Sequence, residues 1–375
     1  MGKRTRFRIP LSRRLLRAFA RTAIAILLLF ASSTPLGITC AAEEKRENDA
    51  AASPANPVTV TEYFGMCGAS ASVAVGTNRF LVADDEQDTL RLYEEGKPNP
   101  VRLYQLAAQT LSLWKSHESD IEAAARIEDK AYWISSHGRD SDGRVSASRH
   151  RLFVTRLRED GGTLSVEPVG TPYTHLLEDL LAAPQLAKYN LAAAAKLSPK
   201  KEGGLNIEGL AAMPGGRLLL GFRSPLPHKR ALLVPINNPG DLASGQKRAV
   251  LGIPVELDLR GKGIRDILWD GNVYWILAGD AEGNGRFHLS RWKGPGHAAR
   301  RVDFDFPKPL HPEACAFFPA TTAAAAGPRL LVLSDDGKRT IDGCDCNDLR
   351  SPSAKRFRSV VVDLAPWVKP ARDAE

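Results

Sequence analysis

The sequence predicts an all-β protein folded as a β-propeller with five visible blades, a sixth being kept open. Three observations carry this reading. A three-strand unit recurs five times, the second strand of each unit is strongly apolar, and an unpaired strand stands before the first unit.

Each unit opens on a short segment that begins polar or acidic and continues with small and apolar residues. These are "GASASVAV" at Gly68, "SDIEAAARI" at Ser119, "LNIEGLAAM" at Leu205, "GIRDILWDG" at Gly263 and "HPEACAFF" at His311. After a turn comes an apolar strand: "RFLVADDE", "AYWISSHG", "RLLLGFRS", "VYWILAGD" and "RLLVLSDDG". A third, alternating strand follows, from "LRLYEE" in the first unit to "FRSVVVDL" in the last. Aligned on Ser70, Glu122, Glu208, Asp266 and Glu313, the units are 52, 86, 58 and 47 residues apart. All but one interval lie near the roughly 40–50 residues of known propeller blades.

The long interval contains "THLLEDLLAAPQLAKYNLAAAAKLSPKK". Leu176, Leu177, Leu180 and Leu181 recur at helical spacing, with Thr174 placed to cap the first turn. Residues 171–203 are therefore expected to be a helical insertion, a candidate lid, rather than a hidden blade. The unpaired strand is "VTVTEYF" (Val58–Phe64), and the fifth unit lacks a fourth strand. Pairing the two closes the ring and removes an exposed edge. The propeller domain is then residues 58–368, followed by a short tail at 369–375.

Residues 1–42 read as a signal peptide. A basic segment precedes the apolar run "AIAILLLFA" (Ala23–Ala31), which is far shorter than the roughly 20 residues a membrane-spanning helix needs. Small residues around Ala41 and Ala42 suit cleavage, and "SRRLLR" (Ser12–Arg17) partly matches a twin-arginine signal. Residues 43–57 are polar and rich in Ala and Pro, as in a flexible tether. A periplasmic or secreted protein is expected, as a monomer.

The formal charge of +8 suggests nucleic acid, but its distribution argues otherwise. Residues 1–42 hold eight Lys and Arg and no acid; without them 43 basic residues face 43 acidic ones. A nucleic-acid partner is therefore not expected. Cys67, Cys315, Cys344 and Cys346 remain after the leader, an even number that allows three disulfide pairings in an oxidising compartment. The Cys344–Cys346 pair has neither a second Cys pair nor a neighbouring His, which argues against zinc.

In a propeller the first strand of each blade lines the central channel, so Glu122, Glu208, Asp266 and Glu313 are expected around one axis. Carboxylates that close need neutralising. A divalent cation would do this, and calcium best tolerates irregular oxygen ligands. The alternative is that each acid bonds backbone amides of the next blade and only staples the ring. Ser70 breaks the pattern in the first blade. Cationic residues follow the second strands of two blades; among them His137, Arg139 and Arg223 lie nearest the strand ends and suit a small anionic ligand. Glu208 and Arg223 need not touch. The sequence has no GxSxG elbow, Walker A loop, HExxH or dinucleotide fingerprint.

At "LVADDEQDTLRLY", "SDIEAAARIEDKAYWISSHGR", "RHRLF" and "GLNIEGLAAMPGGRLLLGFRSPL" the chain resembles the bacterial domain of unknown function 3616 family, over most of residues 65–365. The resemblance implies a propeller-type fold and no established activity. More distantly, "IEGLA" is similar to blade starts of phytase-like esterase propellers and calcium-dependent lactonase propellers, an analogy of fold that transfers no catalytic residue. Two functional expectations follow. One is a metal-dependent hydrolase of phosphoester or lactone-like molecules, with His137 as general base and Arg139 and Arg223 as anion ligands. The other is a non-catalytic ligand-binding or interaction propeller of the cell envelope.

Overall fold

The computed structural model describes residues 58–106, 118–245, 247–281, 283, 285–321 and 327–368. The expected leader, tether and tail lie outside the described residues. No helix among the described residues is long and apolar enough to cross a membrane.

Five four-stranded antiparallel sheets form the blades. A strand β1 (Val60–Phe64) precedes the first of them. Blade 1 is β2 (Ala69–Val75), β3 (Arg79–Asp84), β4 (Gln87–Glu94) and β5 (Arg102–Gln105). Blade 2 is β6 (Ile121–Ile127), β7 (Lys130–Ser135), β8 (Leu152–Asp160) and β9 (Thr163–Tyr173). Blade 3 is β10 (Asn206–Met213), β11 (Arg217–Ser224), β12 (Ala231–Ile236) and β13 (Val255–Leu257). Blade 4 is β14 (Gly263–Trp269), β15 (Tyr274–Gly279), β16 (His288–Trp292) and β17 (Arg300–Arg301). Blade 5 contains β18 (Pro312–Phe318) and β19 (Arg329–Ser334), then a small hairpin of β20 (Thr340–Ile341) and β21 (Cys344–Asp345), then β22 (Arg356–Asp363).

The fourth strand of blade 5 is β1, which pairs antiparallel with β22 from Val60↔Val360 to Phe64↔Arg356. This is the closure the unpaired N-terminal strand predicts. The inner strands follow one another around the ring as β2, β6, β10, β14 and β18, and β18 returns to β2. The disulfide Cys67–Cys346 clasps the same junction, tying the β1–β2 connection to the residues just after β21. Of the four cysteines expected to pair, Cys315 and Cys344 stay free.

The second strands are apolar on both sides because each blade is packed between two others. In β11, Leu218, Leu220 and Phe222 face the blade 2 seam, while Leu219 faces blade 4. In β19, Leu330 and Val332 face blade 4, while Leu331 and Leu333 face blade 1. The period of two sends alternate side chains to opposite seams, so a strand buried on both faces reads as a continuous hydrophobic run.

Close approach near the axis demands small residues. Gly209 and Gly221 stand opposite each other in β10 and β11. A Cβ on Gly209 would sit 2.6 Å from Ile264 Cγ2, and one on Gly221 would sit 2.8 Å from the same methyl. The glycine of "IEGLA" is thus where blade 4 presses its isoleucine into blade 3.

The long interval carries helices, as its leucines predict. Helix α1 spans Leu176–Ala182, a 3-10 turn spans Pro184–Tyr189, and α2 spans Leu191–Ala194. The residue capping α1 is His175 rather than Thr174, and its side chain makes no cap hydrogen bond. Leu176, Leu180, Leu186 and Leu191 pack onto the seam between blades 2 and 3, which anchors the insertion to the ring.

Candidate functional site

Each inner strand slips in its pairing with the second strand, and β10 slips twice. The register slips around Ser70 in β2, Glu122 in β6, Glu208 in β10, Arg265 in β14 and Glu313 in β18. A bulge leaves one residue unpaired and re-aims its side chain. Here it does so in every blade, at the start of the inner strand.

Three of these residues converge. One carboxylate oxygen each from Glu122, Glu208 and Glu313 lies within 4.8 Å of the others. All three are buried. The fourth blade contributes Arg265 in place of an acid: its Nη1 lies 3.0 Å from Glu208 Oε2, and its Nη2 pairs with Glu313 Oε1. Burial alone would disfavour the Arg265 charge, but Glu208 and Glu313 outweigh it and raise its pKa. Glu208 also accepts from Asn206 Nδ2 at 2.7 Å and from Arg223 Nη1 at 2.6 Å.

Asp266, the sequence candidate for blade 4, is not part of this cluster. It stands one residue past the bulge, which turns it away from the three glutamates. Its Oδ1 accepts from the Ile267 amide and its Oδ2 from the Cys315 amide, each at 2.7 Å. It ties blade 4 to blade 5. Ser70 has a similar place in blade 1, where its hydroxyl donates to Ile121 O at 2.6 Å in blade 2.

Glu122 differs from its neighbours. Among the described residues it has neither a hydrogen bond nor an ion pair. Burial, followed by Asp120, Glu208 and Glu313, pushes its carboxyl well above the usual range. Glu313 is pushed up to about 8 by burial despite Arg265. Asp85, whose buried Oδ1 has no hydrogen-bond partner, is raised by burial and then by Asp335.

These groups line a cavity of about 590 Å³ at one end of the channel. Arg149, Lys200, Arg223, Lys338 and Arg339 also reach it. Lys200 belongs to the end of the helical insertion, and Lys338 and Arg339 to the disulfide-clasped hairpin region. The other end of the channel is apolar, a pocket of about 310 Å³ lined by Val73, Leu210, Trp269 and Phe317 among others. The ring is therefore polarised along its axis.

The three cationic candidates separate. Arg223 lines the cavity, with Nε donating to Ala281 O at 2.7 Å. It touches Glu208 directly, a contact the sequence leaves open. Arg139 and His137 are not among the cavity-lining residues. Arg139 donates from Nε to Ala195 O and from Nη1 to Gly143 O, both at 2.9 Å, fastening a loop to the insertion. The buried His137 ring stacks on His150 at 5.7 Å between centroids. Its Nδ1 lies 2.8 Å from Ser135 O, so that nitrogen carries the proton. Burial, then His150, pushes its pKa down to about 3.

Arg265 and Asp85 escape the sequence reading. Arg265 is adjacent to the aligned Asp266, and only the position of the bulge distinguishes them. Asp85 sits in the acidic loop "ADDEQD", whose exposure or burial its composition does not reveal.

A family match lies across the insertion and blades 3 and 4. Residues 169–304 match the family described as Protein of unknown function (DUF3616). Of the motifs that carry the resemblance, "GLNIEGLAAMPGGRLLLGFRSPL" lies within this match. No curated protein matches the chain. Among solved structures it is similar to Myxococcus xanthus glutaminyl cyclase, at 13% identity and a TM-score of 0.39, over 82% of this chain and 97% of that one. It is also similar to the PQQ-bound aldose sugar dehydrogenase of Streptomyces coelicolor, at 13% identity and TM-score 0.37, over 82% and 100% of the chains. Virginiamycin B lyase from Staphylococcus aureus gives 10% identity and TM-score 0.34, over 82% and 100%.

Proposed function

We propose that the protein is an exported, metal-dependent hydrolase of small anionic molecules of the phosphoester or lactone type, working in the charged mouth of the channel. The observation that carries this is Glu122, a buried carboxylate without a partner that faces two further carboxylates. An arrangement like that calls for a cation. Glu122, Glu208 and Glu313 would hold a divalent ion, with calcium the first choice for an all-carboxylate set. Such an ion supplies a Lewis acid and a water of lowered pKa.

The chain's own residues account for the rest. Arg223, Lys200 and Lys338 give the cavity cationic contacts for the anionic group. Asp85, whose carboxyl burial and then Asp335 push well above the usual range, is the candidate to donate a proton to a leaving oxygen. His137 lies outside the cavity lining, so Asp85 replaces it as the proton-transfer candidate. The disulfide suits a periplasmic or secreted setting.

One observation favours the second reading, a non-catalytic binding propeller. Arg265 already neutralises part of the carboxylate charge. Metal analysis of the purified protein, melting curves with calcium or chelator, and a panel of phosphoesters and lactones separate the two. Bound metal with turnover that Glu122→Gln abolishes supports the hydrolase. Absence of any bound or stabilising divalent ion sinks it, and metal binding without turnover leaves the binding propeller.

A further inference from the structure

The five bulge positions bear on the mouth of the channel in unequal ways. Blades 2, 3 and 5 present carboxylates there, Glu122, Glu208 and Glu313, and blade 4 a guanidinium, whereas Ser70 of blade 1 lies outside the cavity lining and donates to Ile121 O. We propose that Arg265 is a built-in counter-cation of this ring, holding the Glu208–Glu313 side and thereby limiting how tightly the ring takes a divalent ion. The proposal rests on the metal-binding reading for its setting, and its test separates the two.

Arg265 belongs to β14, between β10 and β18 in the ring, and its fork reaches the glutamate of each neighbour. A planar guanidinium suits such a bridge between two carboxylates. The fold makes room for it. A Cβ on Gly279 would stand 3.1 Å from Arg265 Cγ, and the Phe287 ring lies 6.0 Å from the guanidinium carbon. Yet the fit is incomplete: Arg265 Nε and Nη1 both lack a well-aligned hydrogen bond. A side chain retained only as a staple would be expected to satisfy these donors.

The charges explain the consequence. Arg265 answers Glu208 and Glu313, and Arg223 adds a second contact to Glu208. Glu122 is left over, so the ring offers a cation one free carboxylate and two shared ones. A divalent ion entering there meets the repulsion of Arg265 as well as the attraction of Glu122. Removing the guanidinium charge frees Glu313 Oε1 and Glu208 Oε2 and removes that repulsion together.

The test titrates calcium by calorimetry against the wild type, Arg265→Gln, Arg265→Lys and the Arg265→Gln/Glu122→Gln double variant. Arg265→Gln is expected to bind calcium at least tenfold more tightly than the wild type. Arg265→Lys, which keeps the charge, should stay near it, and the double variant should lose the gain. Equal or weaker binding by Arg265→Gln overturns the proposal, as does a gain that survives loss of Glu122. If the wild type binds no calcium but Arg265→Gln does, the metal-dependent reading fails while the counter-cation stands. If Arg265→Gln folds only with calcium present, the proposal is supported; if calcium does not restore its melting transition, it is overturned.

Discussion

Arg265 Nη1 and Glu208 Oε2 lie 3.0 Å apart across the seam between blades 4 and 3. The contact joins two bulge residues, and Glu208 is also held by Arg223 and Asn206. Glu208 is thus contacted by three donors of its own protein, although its Oε2 has an ion pair and no hydrogen bond, while Glu122, at the matching place in blade 2, has no such contact among the described residues. That inequality within a repeated position separates structural from functional candidates.

Glu122 and Asp266 should respond oppositely to neutralisation. Without metal, Glu122→Gln removes a repelled, unpartnered carboxylate and should raise stability by about 1 kcal/mol or more. Asp266→Asn sets an amide NH2 against one of two backbone donors and should cost about 1–3 kcal/mol. Urea unfolding in chelator measures both, and shifts of the same sign would contradict this division.

Gly209→Ala forces a methyl against Ile264 at the seam of blades 3 and 4. A cost of about 1–3 kcal/mol is expected for overpacking. Trimming the partner with Ile264→Ala should recover part of it, so the double variant melts above the sum of the two single losses. Strict additivity would place the strain elsewhere.

His137 gives the fold an acid-sensitive contribution. Its pKa falls from the ordinary 6.5 to about 3, with His150 and Arg151 adding to the effect of burial. Between those values the unfolded chain binds a proton that the folded protein refuses. The contribution is therefore intact above pH 6.5 and lost as pH falls toward 3. His137→Asn removes the titration, and asparagine tolerates the φ of 57° found there. The melting-temperature advantage of wild type over this variant should shrink between pH 7.5 and 4.5; a constant difference would refute it.

The Cys67–Cys346 bond closes a segment of 279 residues and pins the strand that seals the ring. Replacing both cysteines by serine should cost roughly 2–5 kcal/mol. The loss should appear as earlier unfolding in denaturant, with an oxidised wild type as reference. No change would mean that β1 holds the junction without the clasp.

Much of the architecture was legible because it is repeated. Five segments with the same rhythm announce five blades, and a lone strand before them announces the closure by β1 and β22. The glutamates at 122, 208 and 313 could be placed on one axis from their repeat positions alone. Blade 4 shows the limit. "GIRDILWDG" offers an acid at the aligned place, but the slip occurs at Arg265, and a one-residue offset sends consecutive side chains to different surroundings.

Local sequence determined which stretches become strands, since two-sided burial writes an apolar run into each second strand and a small-residue pattern into each first. It also showed five repeated units while leaving a sixth blade open, and the five four-stranded sheets of the structure set the count. Only the tertiary structure decided which bulge residue faces the axis, that Arg223 reaches Glu208, that His137 and Arg139 stay out of the cavity, and that Cys67 finds Cys346. Those outcomes depend on pairing between strands and on contacts across seams, where residues distant in the chain set one another's direction.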